Sequence, residues 1–488
     1  MTMEHNQSRR RFVGNLLTMA GGSAAVPLAI NLAVMGEAAA ENATDYKAII
    51  CLFLAGGNDH YNTVLAMDNE EWGYYSAQRS TGGSGSIMLD KLSLLKLPST
   101  GSDNGVRSFG LNPNLTALHG LYGNNRAAIV ANVGTLLQPI ANKDVYKADR
   151  SLAPPKLFSH NDQQSMWQSL KPEGANFGWG GKLADAKHDS NSDHKFTCVS
   201  ASGNTVFLAG AITTPYQVSS QGAVAISSLK SNFFDMNVVA GTPSMVKDTI
   251  TAARDNPIEN EHAQIVARSI AAQQALSTNM LPAGAGGVPN PTQYKLPKVK
   301  PSDADTWAPN PLAIQLQSVA RIIGGRTNLG VKRQVFFVSL PGFDTHDNQR
   351  IDHADLMAKL DHALAYFDST MRAFPGSGDI SSQVTLFTAS DFGRTLSSNG
   401  DGSDHGWGAH HFVVGGAVYG GKIYGEVPLV ALNNAWDVGS GALLPTTSVE
   451  QYAATLATWF GLDGAQIATV FPRLAGFSKP DLGFMKPA

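Results

Sequence analysis

Two cysteines, Cys51 and Cys198, are the only thiols in 488 residues. They stand far apart, with no CxxC, haem-attachment or iron–sulfur spacing, so thiol-redox and cluster chemistry have no motif to rest on. Both fall in apolar, strand-like runs, Ile49-Ile50-Cys51-Leu52-Phe53 and Phe196-Thr197-Cys198-Val199. They read as two small buried core residues, with a disulfide as the alternative that an oxidising compartment permits. Charge is sparse too: 36 Lys and Arg stand against 39 Asp and Glu, a net charge of -3, and charged residues make up only 15% of the chain. That excludes the basic footprint of a nucleic-acid binder. No long apolar run appears after the first 40 residues, which excludes a membrane-embedded body. No GxGxxG follows a strand in the setting a dinucleotide needs.

Hydrophobic residues at 43% are ample for a packed core, and 49 glycines imply many tight turns and loops. The N-terminus carries a distinct signal. Ser8-Arg9-Arg10-Arg11-Phe12-Val13 sets paired arginines before an uncharged stretch from Val13 to Val34, and Ala38-Ala39-Ala40 follows. A positive start, an apolar middle and a small-residue exit make residues 1–40 a twin-arginine signal peptide, with Glu41 the expected first mature residue. An uncleaved anchor is the competing reading, and Gly21, Gly22 and Pro27 argue against it. The implied partner is the twin-arginine translocase during export, the implied location is the periplasm, and no integral membrane segment remains after cleavage.

Residues 41–488 read as a single α/β domain, because short apolar runs alternate with helical patterns. Strands are expected at Tyr46–Ala55, Ala127–Val133, Lys195–Ser200, Ala223–Ser227, Gln334–Leu340, Val384–Ala389 and His411–Val418. Helices are expected at Pro113–Tyr122, across Ser244–Ser277 with a break near Pro257, and at Leu312–Ile323, Asp352–Phe374 and Ser448–Phe460. The stretch 281–311 is rich in Pro, Gly and Ala without periodicity and reads as a loop-rich insertion. No internal repeat is visible.

Three strands run straight into aspartates: Asp59, Asp344 and Asp391. The carboxyl ends of parallel strands form the ligand crevice of such sheets, so the three can converge there, although Asp also favours turns and helix caps. Asp344 and His346 stand two residues apart, and in extended backbone such a pair points the same way. Asp404-His405-Gly406-Trp407-Gly408-Ala409-His410-His411 adds another carboxylate and three imidazoles. Carboxylate oxygens with imidazole nitrogens suit Zn²⁺ or Mn²⁺, and with fewer imidazoles Mg²⁺ or Ca²⁺. The expected metal ligands are Asp59, Asp344, His346, Asp391, His405 and His410, with His410 and His411 facing opposite sides of a strand. Ser159, at the start of a polar run before a helical one, is either a nucleophile or an N-cap. Arg394 either binds an anionic oxygen or forms a surface ion pair.

Leu54-Ala55-Gly56-Gly57-Asn58-Asp59-His60-Tyr61-Asn62-Thr63-Val64 resembles the opening motif of the domain-of-unknown-function family numbered 1501. So do Ala131-Asn132-Val133-Gly134-Thr135-Leu136, Phe177-Gly178-Trp179-Gly180-Gly181-Lys182-Leu183-Ala184, Phe343-Asp344-Thr345-His346 and the stretch from Ser390-Asp391-Phe392-Gly393-Arg394-Thr395 through Asp404-His405-Gly406-Trp407-Gly408 to Gly415-Gly416. The resemblance covers nearly the whole mature chain. It implies a three-layer sandwich with a largely parallel central sheet, similar to the alkaline phosphatase and sulfatase superfamily. In that superfamily an aspartate after the first strand, an Asp–His group, an Asp-His pair and a late histidine hold two metals. Asp59 matches the first, Asp344 with His346 the second, Asp391 the acid of the pair, and His405 or His410 the late histidine. Here Asp391 is followed by Phe392 instead of histidine, and no serine or threonine sits in an unmistakable nucleophile motif. The expectation is therefore a metal-dependent hydrolase of a phosphate or sulfate ester, acting on an anionic small molecule or polymer. The alternative is a non-catalytic periplasmic binding or assembly protein that keeps the fold, with or without a structural ion.

Overall fold

The computed structural model describes residues 45–487, apart from 82, 99–103, 106, 220, 221, 225, 227, 228, 230, 231, 234, 235, 238–241 and 301. The signal-peptide expectation over residues 1–40 lies outside the described residues. A ten-stranded sheet runs through the chain. Its strands are β1 (Lys47–Ala55), β2 (Ala127–Gly134), β3 (Cys198–Ser200), β4 (Tyr216–Ser219), β5 (Gly222–Ala223), β6 (Arg333–Pro341), β7 (Val384–Ser390), β8 (Ala409–Gly415), β9 (Ile423–Tyr424) and β10 (Thr447–Ser448). The order is β9-β2-β8-β7-β1-β6-β3-β4-β5, with β10 also paired to β2. β1 lies between β6 and β7, parallel to both, and only β8 and β5 run against the rest.

Among the described residues the helices against the sheet include α1 (Thr116–Gly123), α2 (His160–Ser169), α3 (Trp179–Ala186), α4 (Pro257–Asn279), α5 (Pro311–Gly324), α6 (Gln349–Arg372) and α7 (Val449–Phe460). Successive side chains of a strand point to opposite faces, and β1 is apolar on both, as a central parallel strand must be. Ile50, Leu52 and Leu54 pack with Leu316 and Ile323 of α5 and with Leu360 and Leu364 of α6. Ile49, Cys51 and Phe53 pack with Leu183 of α3 and with Tyr452 and Leu456 of α7. Two apolar cores on the two faces of one sheet make a three-layer α/β sandwich. The two cysteines are free and buried.

Local signals place the helices. Pro311 opens α5 behind Asn310, whose side chain accepts the N–H groups of Leu312 and Ala313. Ser448 and Gln451 form a reciprocal capping box on α7, and Gly461 ends it at φ 106°. The stretch 281–311 holds a two-residue hairpin, Tyr294–Lys295 against Trp307–Ala308, which is tied to α6 where the Tyr294 hydroxyl donates to Asp355 at 2.7 Å. Among the described residues no helix is long and apolar enough to cross a membrane.

Candidate metal centre

The parallel strands bring their carboxyl ends into register. Ala55 of β1 pairs with Pro341 of β6, and Leu54 pairs with Ser390 of β7. Asp344 therefore leaves the sheet on one side of β1 and Asp391 on the other. Between them the chain turns through Gly56 at φ 119°, whose N–H donates to Asp391 Oδ1 at 3.0 Å. A Cβ at Gly56 would sit 2.3 Å from the Asp344 nitrogen, so the close approach of these segments requires glycine.

Three imidazoles surround the Asp344 carboxylate. His160 Nε2 lies 3.3 Å from Oδ2, while His346 Nε2 and His405 Nε2 lie 3.1 and 3.2 Å from Oδ1. The opposite nitrogen of each ring is held by an oxygen. His160 Nδ1 meets Asp391 Oδ2 at 2.6 Å, His405 Nδ1 meets the Phe158 carbonyl at 2.7 Å, and His346 Nδ1 meets Asp404 Oδ1 at 3.3 Å. A carbonyl or carboxylate only accepts, so Nδ1 is the donor in each of these contacts. Each ring turns its Nε2 inward, toward the Asp344 carboxylate. His346 Nε2 and His405 Nε2 stand 2.9 Å apart, and His160 Nε2 is buried with no hydrogen-bond partner. Two ring nitrogens that close need a proton or an ion between them, and with the Asp344 carboxylate beside them the hollow suits a cation. Facing atoms of His160, Asp344 and His405 all lie within 4.8 Å of one another, close enough for one ion.

Electrostatics follow the same geometry. The hydrogen bond to Asp391 raises the pKa of His160, outweighing partial burial. Burial lowers that of His405. Burial alone would raise that of Asp344, but the hydrogen bond and charge of Arg394, helped by His160 and His346, hold it below the usual carboxylate range. The rim is open: the side chains of Asp344 and His346 are 45% and 43% exposed.

The expected ligands divide. Asp344, His346 and His405 come together. Asp59 does not join them: it is fully buried against Arg79 at 2.5 Å, with a second contact at 3.0 Å, and also accepts from the Gln349 amide. Asp391 stands behind His160 instead of facing the hollow, its oxygens taken by Gly56, His160 and Gln164. His410 lies inside β8, where its Nδ1 accepts the Asn132 N–H at 3.0 Å and burial drives its pKa to about 3. Arg394 is no free anion fork. Its side chain is sealed and donates to the carbonyls of Gly56, Gly57, Phe343 and Ser403 and to Asp344 Oδ1 at 2.5 Å, so it fixes Asp344. Ser159 occupies the N-cap position of α2 without a side-chain cap bond, and its hydroxyl donates to Asp162 at 2.9 Å.

His160 joins the site from outside the expected ligand set. Its signal was present, since His160 and Gln164 are four apart on one helix face and both reach Asp391 Oδ2. Phe392 also gains a place. Its buried ring packs on His160 at 4.8 Å and on His405 at 4.4 Å, holding two imidazoles where the superfamily pattern has a histidine of its own.

Residues 46–471 match the family model described as protein of unknown function, DUF1501. No curated protein matches the chain. Solved structures with some likeness include a Bacteroides thetaiotaomicron protein described under the metabolism of multiple glycosaminoglycans. It has 10% identity and a TM-score of 0.33, with 87% of this chain and 74% of that one covered. Another is a structure described as Ps i-CgsB, at 10% identity and a TM-score of 0.35, covering 90% and 77%. A mutant of the alkaline phosphatase PafA shares 12% identity at a TM-score of 0.27, covering 72% and 64%. At those TM-scores the shared shape is loose, and the chemistry has to be read from the side chains.

Proposed function

Because the chain belongs to the DUF1501 family of proteins of unknown function, whose name carries no chemistry, we propose its activity from the site: a metal-dependent hydrolase of a phosphate or sulfate ester. In this reading the twin-arginine signal exports it to the periplasm. The carrying observation is the convergence of three Nε2 atoms on one carboxylate, each ring backed through Nδ1 by an oxygen. His160, His346, His405 and Asp344 would hold the ion. Imidazole-rich donors with one carboxylate fit Zn²⁺ or Mn²⁺ better than Mg²⁺ or Ca²⁺, which favour all-oxygen shells.

A divalent ion bound there supplies Lewis acidity, polarising an ester oxygen and offsetting charge on the transferring group. The chain does the rest. Asp391 fixes the His160 tautomer, Arg394 anchors Asp344, and Phe392 fixes the ring planes. Ser159 adjoins His160, and its proton already points to Asp162, which leaves the oxygen lone pairs free to attack phosphorus or sulfur. In that attack Asp162 would take the serine proton, a seryl ester would form as the P–O or S–O bond to the alcohol breaks, and the proton would pass to the departing alcohol oxygen. Water then cleaves the seryl ester, restoring the serine proton and releasing phosphate or sulfate.

The second reading, a binding or assembly protein with or without a structural ion, is favoured by the engagement of Arg394, which leaves no guanidinium fork for an anion. Elemental mass spectrometry of purified mature protein separates the outcomes. Near-stoichiometric metal, absent from Asp344→Ala, followed by turnover in a panel of phosphate and sulfate esters, supports the hydrolase. Bound metal without turnover supports the second reading. An absence of metal after folding with ample Zn, Mn, Mg and Ca removes the hydrolase and leaves the binding or assembly role.

A further inference from the structure

A cavity of about 460 Å³ lies behind the segment that carries His346. Its wall includes Asn348, two residues beyond His346, and Asp401, next to Gly402. Gly402 abuts the His346 backbone so closely that a Cβ would sit 2.2 Å from its carbonyl group. Asn399 ties the same loops together, donating to the His346 carbonyl at 3.0 Å and to Asp404 at 3.1 Å. The cavity and the metal centre thus share a border, formed by the segments that run from His346 to Asn348 and from Asp401 to Asp404.

The lining is cationic. Lys298, Lys300 and Arg350 reach it, with Val299 and Ile351 as exposed apolar floor. Lys298 lies 3.0 Å from Asp305, whereas Lys300 and Arg350 have no carboxylate partner among the described residues. Asp401 is the one acid in the lining. Its carboxylate accepts the Asn348 N–H at 3.2 Å and its carbonyl accepts the Gln349 N–H at 3.0 Å, and against Lys298, Lys300 and Arg350 its single charge leaves the lining net positive. The positive end of the 24-residue α6 opens at the same place, without a side-chain cap from Asn348. Two unpaired cations around an apolar floor match an organic anion rather than a metal ion or a neutral ligand.

We propose that this cavity is a second anion subsite, which holds a sulfate, phosphate or carboxylate group remote from the ester bond that is cleaved. The substrate class is then an ester carrying at least two anionic groups, one at the metal centre and one on Lys300 and Arg350. The substrate assignment rests on the hydrolase reading, but anion binding at the cavity does not.

The probe is 1,5-naphthalenedisulfonate, a dianion with little affinity for metal ions, titrated calorimetrically into the mature protein. Wild type and Asp344→Ala should bind it alike, while a Lys300→Glu/Arg350→Glu variant should bind about tenfold more weakly or worse. Equal affinity in the double variant, with its circular dichroism unchanged, overturns the subsite. Binding that disappears in Asp344→Ala places the dianion at the metal centre and overturns it too. In the metal-loaded enzyme the double variant should lower the kcat/KM preference for a bis-sulfated or bis-phosphorylated ester over its mono-anionic counterpart. An unchanged preference overturns the substrate class. A protein that binds the dianion but no metal loses the hydrolase reading and keeps the subsite.

Discussion

Seven histidines near the carboxyl edge of the sheet fall into two sets, one buried and one on the rim. His60, His353, His410 and His411 are fully buried, and burial is the leading cause of their depressed pKa values, about 4 for His353 and about 3 for His410 and His411. His160, His346 and His405 keep solvent on one side and an oxygen behind Nδ1. The aspartates divide the same way: the Asp59–Arg79 pair is sealed, while the Asp344–Arg394 pair has its carboxylate open. Chemically identical groups thus serve the interior in one layer and present ring nitrogens to the rim in the next, and what separates them is access together with the hydrogen bond behind the ring.

The largest way to sharpen this contrast is acid. A buried neutral imidazole is protonated below pH 6.5 in the unfolded chain but only near its own lower value in the folded one. Its contribution is therefore complete above pH 6.5 and declines as pH falls toward 4 for His353 and toward 3 for His410 and His411. Each imidazole should withdraw about 2 kcal/mol of stability by pH 5. Denaturant midpoints measured from pH 7.5 to pH 5 check this, and a flat profile would show that the buried set is not neutral.

Next is Asp59→Ala, which strands Arg79 in the interior and should cost about 3–5 kcal/mol in denaturant unfolding. Metal per folded chain should stay as in the wild type, and a loss of metal would put Asp59 back at the centre. Asp391→Asn should act in the opposite sense. An amide NH₂ toward His160 Nδ1 favours the tautomer with the proton on Nε2, which blocks ligation. Metal affinity should fall about 10–100-fold. Competition with a chromogenic chelator reads this, and unchanged affinity would dismiss Asp391 as the support of His160. The smallest expected effect is Gly402→Ala, whose Cβ meets the His346 carbonyl and must push that segment aside. A few-fold loss of metal affinity, about 1 kcal/mol, is expected in the same assay.

Much of the fold was legible because core strands are apolar on both faces. The expected span Tyr46–Ala55 meets an observed strand at Lys47–Ala55, and Val384–Ala389 meets Val384–Ser390. The motif of Asp344 and His346 was legible because it follows such a strand. Asp59 misled for a physical reason. It also follows a strand, but its partner Arg79 closes the helix Asn69–Arg79, and nothing local announces that this helix end folds back onto the sheet. His160 could not be ranked above the other imidazoles from sequence, because its role depends on Asp391, 231 residues away.

The inward-facing groups come from chain positions as far apart as His160 and His405, with Asp344 and His346 between them. No fragment shorter than that interval can bring them together. If the hollow holds the proposed ion, metal retention is a census of that interval, a single reading that reports whether α2, β6 and the segment before β8 have all reached their places. A truncated or misassembled molecule would announce itself by its empty hands long before any activity was measured.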